Sequence, residues 1–200
     1  MPNMNDQRFR RSVIYLCAHS QEGAMGIIIN RLAGGLSYGV LMSELGIDIQ
    51  PQNNDRPVFF GGPIEPTRGF ILHTTDHIEE SSLLIDSIVD ITKPRGQAQN
   101  IKAQNLKEGG KFSSKLALST TTDMLRAIHQ GKGPNKNILV LGYAGWGPGQ
   151  LELELQTNSW LAVSADEDLI FGGDTSSKWK RALGKLGIDP AMLSSESGHA

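Results

Sequence analysis

The chain contains a single cysteine, Cys17. No intrachain disulfide can form, which excludes the stapled scaffolds of small secreted domains and any structural zinc site that needs several thiolates. No apolar run approaches the ~18 residues of a membrane-crossing helix. The opening residues, Met1-Pro-Asn-Met-Asn-Asp6, lack the apolar stretch of a secretory signal. A cytoplasmic location without membrane association is therefore expected. An excess of one charge is also missing, since Lys+Arg 19 against Asp+Glu 21 leaves −2. The molecule lacks the general positive field that draws a protein to nucleic acid, so direct DNA binding is not expected. No G-x-x-x-x-G-K-[ST] sequence occurs, and no cofactor is expected.

What remains is 200 residues with 38% hydrophobic and 20% charged content. That suffices for one ordinary domain and argues against wholesale disorder. Short β-branched and apolar runs predict strands at Ser12–Ala18, Ala24–Ile29, Pro57–Phe60, Gly69–His73, Leu83–Ile85, Lys115–Leu118, Asn137–Leu141 and Ser159–Val163. The first two, joined by a turn at His19–Gly23, form a hairpin. A helix is predicted over Leu36–Leu45, with Ser37 at its N-cap and Val40, Leu41 and Leu45 as its apolar stripe. A second opens at Thr120-Thr-Thr-Asp123 and buries Met124, Leu125 and Ile128. A third spans Asp174–Leu186, with Trp179, Ala182, Leu183 and Leu186 on one face. Leu151–Leu155 alternates like a strand, while its Gly-Pro-Gly-Gln approach and early glutamates suit a helix start. Residues 93–111 carry five basic residues and one acid without apolar periodicity and read as an exposed insertion. Residues 194–200 read as a loose tail.

Several motifs carry chemistry in other settings. Gly35-Leu-Ser37-Tyr-Gly39 matches a nucleophile elbow, but only two strands precede it, so Ser37 is read as a helix cap. His73-Thr-Thr-Asp-His77 spaces two histidines as a metal pair would on a helix. On a strand they lie ~13 Å apart, and both are read as surface or edge residues. Cys17 and His19 are expected on one side of a strand, with the thiol buried and quiet. Lys178, Lys180, Arg181 and Lys185 read as a solvated basic strip. The glycine-rich Gly142-Tyr-Ala-Gly-Trp-Gly-Pro-Gly-Gln150 segment is expected to be a turn beyond a central strand. It fails the dinucleotide spacing, which leaves Trp146 either packing over the sheet end or recognising a partner.

These segments together resemble a known family. Ser12-Val-Ile-Tyr-Leu-Cys-Ala-His19, Glu22-Gly-Ala-Met-Gly26, Ile29-Asn-Arg31, Phe60-Gly-Gly-Pro63, Gly69-Phe-Ile-Leu-His73, Leu141 to Glu152 and Asn158-Ser-Trp-Leu161 are similar, in the same order, to the AlgH-like (YqgE) proteins of bacteria. Leu32 departs from the usual proline, and residues 93–111 are longer and more polar than the family pattern. The resemblance implies a mixed α+β fold in one compact unit of two α+β parts, with a split, two-winged sheet and flanking helices. It also implies that Leu151–Gln156 is helical. It brings a proposed role in transcriptional regulation and no catalytic residue. The expectation is a single domain over residues 1–200, acting as a non-catalytic regulatory or interaction protein with a protein partner. The alternative is a small-molecule binder or enzyme with its site at the sheet end near Gly142–Gln150. Candidate binding residues are His19, Asn30, Arg31, Gly61, Gly62, Pro63, Trp146 and Gln150. No metal site is expected.

Overall fold

Strand residues two apart share a face, so apolar side chains of opposite parity must find separate cores. The computed structural model describes residues 6–85 and 116–190 and realises this division around one long strand. Its elements run β1 (Ile14–Ser20), β2 (Gly23–Ile28), α1 (Tyr38–Glu44), β3 (Val58–Phe60), β4 (Ile64–Thr74), β5 (Leu83–Ile85), β6 (Leu116–Ser119), α2 (Thr122–His129), β7 (Asn137–Trp146), α3 (Gln150–Gln156), α4 (Glu167–Phe171) and α5 (Lys178–Lys185). The fold is mixed α+β.

The sheet order is β1-β2-β7-β4-β6-β5, with β3 parallel to β7 and the other pairings antiparallel. β7 joins the two wings. Leu139–Leu141 pairs with β3, Ala144–Trp146 pairs with β2, and Asn137–Leu141 pairs with β4. Phe59, Phe70, Leu72, Ile138 and Val140 enter one core with Ile27 and Ile170. Their neighbours Val58, Ile71 and Leu139 enter the other, beneath α1 and α2, with Tyr38, Met42, Met124 and Leu125. A third cluster, at the far end of β7, gathers Ala144, Trp146, Leu151 and Trp160.

Several sequence expectations need correction. α1 turns Tyr38 and Met42 inward, whereas Val40 is 54% exposed and Leu45 is also exposed. The Tyr38 ring is the largest apolar surface on this short helix, and burying it sets the helix rotation. The glycine-rich segment is strand as far as Trp146, and only Gly147–Gly149 remain as a turn. Gly142 interrupts it with a left-handed φ of +71°, facing the place where β4 loses register between Ile64 and Gly69. A Cβ there would lie 2.5 Å from the Gly62 carbonyl oxygen, so glycine meets both the angle and the contact.

Ser159–Val163 forms no strand. Trp160 is held against α3 by its indole bond to Glu154 and by the ring of Trp146, and the segment adds no strand to the sheet. α3 is helical, as the family resemblance implies and against its alternating pattern. α4 carries no sequence expectation, although Asp166 caps it by accepting from the Leu169 N–H. Thr121 rather than Thr120 caps α2, accepting from the Met124 N–H. α5 begins only at Lys178, because Asp174 accepts from the Ser176 and Ser177 N–H groups and holds a turn before it. Leu186 is exposed rather than part of a buried face. Residues 93–111 and 194–200 lie outside the described residues.

Candidate functional site

The candidate residues do not meet at one place. His19, Trp146 and Gln150 gather on α3. The first two glutamate positions of that helix turn back toward the sheet and do most of the binding. Glu154 accepts at Oε2 from the Trp146 indole N–H at 2.9 Å and the Trp160 indole N–H at 2.7 Å. Its Oε1 accepts from Gln150 Nε2 at 2.8 Å, and Gln150 Oε1 accepts from the Gly147 N–H. The carboxylate is therefore occupied by three N–H donors. The two indoles meet edge to face at 5.9 Å, and Phe9 meets Trp160 in the same way. Trp146 is only 9% exposed, which favours packing over recognition for this residue.

His19 is 6% exposed, and its Nε2 stands 2.6 Å from Glu152 Oε1. A hydrogen bond to its own backbone N–H, followed by the contact with His19, holds the Glu152 carboxyl below its ordinary range. His19 Nδ1 is buried without a hydrogen-bond partner among the described residues, as is Ser12 Oγ. Cys17 and His19 do not share a side. A bulge in β1 between Leu16 and Ala18 shifts the parity, sending Cys17 into the core with Ile27 and Phe59 while His19 pairs with Ala24 toward α3. Burial pushes the Cys17 thiol up to about 12, so the thiolate is scarce at neutral pH.

Asn30 and Arg31 act elsewhere. Asn30 accepts from the Val13 N–H at 2.7 Å and donates to the Arg11 carbonyl at 2.9 Å. Arg31 donates to the Arg10 carbonyl at 2.6 Å. Both residues fasten the segment leading into β1. Gly61 and Gly62 lie against the backbone of β7, where a Cβ would come within 2.2 Å of the Gly142 oxygen and of Tyr143 backbone atoms, respectively. Gly61 also donates to the Leu141 carbonyl and accepts from the Ile28 N–H, which ties the two wings together. Pro63 follows, half-buried.

The remaining motifs resolve in the same structural direction. Ser37 sits at the start of α1 without a side-chain cap bond, and its carbonyl accepts from the Leu41 N–H. His73 is fully buried, not a surface or edge residue. Its Nδ1 faces the Thr74 carbonyl at 2.8 Å, and a carbonyl can only accept, so the proton sits on Nδ1. Nε2 then accepts from Ser119, which accepts from Ser82, which in turn accepts from the Glu79 N–H. Among the described residues, no group of three or more His, Cys, Asp or Glu is placed to hold a metal. Lys178 is 0% exposed and leaves the basic strip. Its ammonium donates to the Ile170 carbonyl at 2.5 Å and lies 5.6 Å from the Phe59 ring centroid.

This split-sheet α+β architecture, with β7 bridging two wings, defines the class of protein. The AlgH-like family model matches residues 1–191. The chain is 48% identical to a UPF0301 protein of Bradyrhizobium diazoefficiens, covering 100% of this chain and 85% of the relative. It is 44% identical to one of Rhodospirillum rubrum, covering 100% and 90%. Its fold matches the solution structure of the AlgH protein from Pseudomonas aeruginosa at a TM-score of 0.68 and 35% identity, over 100% of this chain and 92% of the other. The chain belongs to the AlgH-like family. Among the described residues, no helix is long and apolar enough to cross a membrane.

Proposed function

We propose that this protein is a cytoplasmic, non-catalytic regulatory or interaction protein that works by presenting a surface to a protein partner. The observation that carries this reading is how the most specific motif is used. Trp146 is buried, Glu154 is saturated by internal donors, and Gly145 and Gly147–Gln150 are left at the surface. Glycines and a proline supply no acid, base or nucleophile, so this exposed stretch favours contact through shape over acid–base chemistry. Leu153, 61% exposed on the outer side of α3, adds an apolar contact beside it. The proposed role of the family in transcriptional regulation fits such an adaptor. Direct DNA contact has little support. Lys178 is buried and Lys185 is paired with Asp166, which leaves Lys180 and Arg181 as the α5 charges without an ion pair among the described residues, too few for the several phosphate contacts of a DNA-binding face.

The test is affinity capture from the native lysate, followed by titration of the purified partner against wild type and Leu153→Glu. The expected result is a stoichiometric protein partner whose binding falls at least tenfold in the variant at an unchanged melting temperature. A co-purifying metabolite with no protein partner, or full binding by the variant, would overturn the reading.

A further inference from the structure

Outside the α3 cluster, four polar side chains from distant parts of the chain meet at one corner beside the second core. Tyr38 opens α1, His129 ends α2, Asn137 begins β7, and Arg56 lies in the loop that leads into β3. The Tyr38 hydroxyl stands 2.9 Å from His129 Nε2. The Arg56 guanidinium carbon lies 5.4 Å from the Tyr38 ring centroid, and its Nη2 donates to Asn137 Oδ1 at 2.7 Å. Asn137 is fixed in turn by donating to the Pro134 carbonyl at 3.2 Å. The guanidinium is thus positioned by a ring and an amide, with most of its N–H donors left unassigned.

The charge at this corner is not balanced from within. Among the described residues, no carboxylate forms an ion pair with Arg56 or with His129. Arg126, one turn earlier on α2, donates to the Gly46 carbonyl and supplies no counter-charge. Burial, and then the positive charge of Arg56, lower the proton affinity of His129, so the imidazole is mainly neutral at neutral pH. With the neutral imidazole's proton on Nδ1, the phenol O–H donates to Nε2. Protonation reverses this bond: Nε2–H donates to the phenol oxygen, and the phenol proton is freed to turn toward a ligand. The carbonyl end of α2 also favours the charged imidazole.

We propose that Arg56, His129 and Tyr38 form a binding site for a dianionic phosphoryl-type oxyanion, and that binding is coupled to proton uptake on His129. The guanidinium and the imidazolium together supply two positive charges, which match a phosphate dianion better than a carboxylate. Arg56 provides N–H donors in its plane, and the released Tyr38 O–H provides another. The two events are linked: a bound dianion stabilises the imidazolium, so the anion must raise the proton affinity of His129, and protonation must tighten the anion.

The test uses the full chain and NMR titration of the imidazole resonances in sulfate, a dianion whose charge does not change across the range, against chloride and acetate at equal ionic strength. Inorganic phosphate and a phosphomonoester then form the two arms that separate a free ion from a phosphorylated metabolite. The expected result is a saturable sulfate effect that raises the proton affinity of His129 about tenfold. Acetate should do far less. Arg56→Gln should abolish the effect, Arg56→Lys should retain part of it, and Tyr38→Phe should weaken it while His129 still titrates. An identical His129 titration in sulfate and chloride would overturn the proposal, whether or not any variant folds. So would an unchanged sulfate effect in a folded Arg56→Gln protein, which would mean an adventitious ion only.

Discussion

A lysine ammonium buried in an apolar core must leave a trace in how stability depends on pH. Lys178 is 0% exposed, and burial, followed by the nearby Arg181 charge, lowers its pKa from 10.5 to about 8. At ~1.4 kcal/mol per unit, the native state disfavours the charged form by about 3 kcal/mol. The folded value lies below the unfolded one, so the unfolded chain binds more protons between about pH 8 and pH 10.5, and stability must rise across that window. Below about pH 8 the full penalty stands. Above pH 10.5 both states are neutral, and the amine still donates to the Ile170 carbonyl. Lys178→Met removes the titration but leaves that carbonyl at the end of α4 without its donor, which costs ~1–3 kcal/mol. This loss offsets most of the relieved penalty, which is already net of the ammonium's attraction to Phe59, so the variant should be close to wild type in stability at pH 7. The assay is urea unfolding of both proteins at pH 7 and pH 11, in which the titration of all other groups cancels in the double difference. Wild type should gain about 3 kcal/mol relative to the variant on going to the higher pH. A gap that stays constant would refute the reasoning and place the ammonium in water.

Two further outcomes are expected. Trp146→Ala should cost ~3–5 kcal/mol in thermal or urea melts, because it empties the space between Trp160 and Leu151; an unchanged melt would return Trp146 to a recognition role. Burial lowers the proton affinity of His73 from its ordinary 6.5, so wild type should lose stability as the pH falls through 6.5 toward the lower folded value, and His73→Gln should flatten that slope; equal slopes in urea titrations would rule out a neutral buried imidazole.

The elements that were legible share one property: their own residues decide them. The apolar runs of β1, β2, β3 and β6 lie where expected, and so does α2, whose cap Thr121 and inward Met124 and Leu125 are close in sequence. Where a neighbour decides, the pattern misleads. Val163 and Leu161 suit a strand, yet Trp160 is claimed by Glu154 on α3 and the segment joins no ladder. Gly142 and Gly145 carry no periodicity, so the continuation of β7 to Trp146 depends on Ala24–Gly26, more than 100 residues earlier in the chain.

The same reasoning explains why the polar sites were harder to read than the fold. The motifs point to His19, Trp146 and Gln150, which do share α3, but the groups that bind them are Glu152 and Glu154, whose positions in the first helical turns are a sufficient local reason to be acidic. Lys178 sits among Lys180, Arg181 and Lys185, where a surface strip accounts for it equally well from sequence. Tyr38 and His129 are separated by 91 positions, and neither lies in a motif that calls for the other. Side chains joined only by long-range topology leave no spacing rule behind. The Tyr38, His129 and Arg56 corner became visible only through the sheet: β3 and β7 run side by side, Arg56 enters β3 and Asn137 begins β7, and the packing of α1 and α2 over the same face brings the phenol and the imidazole onto that pair.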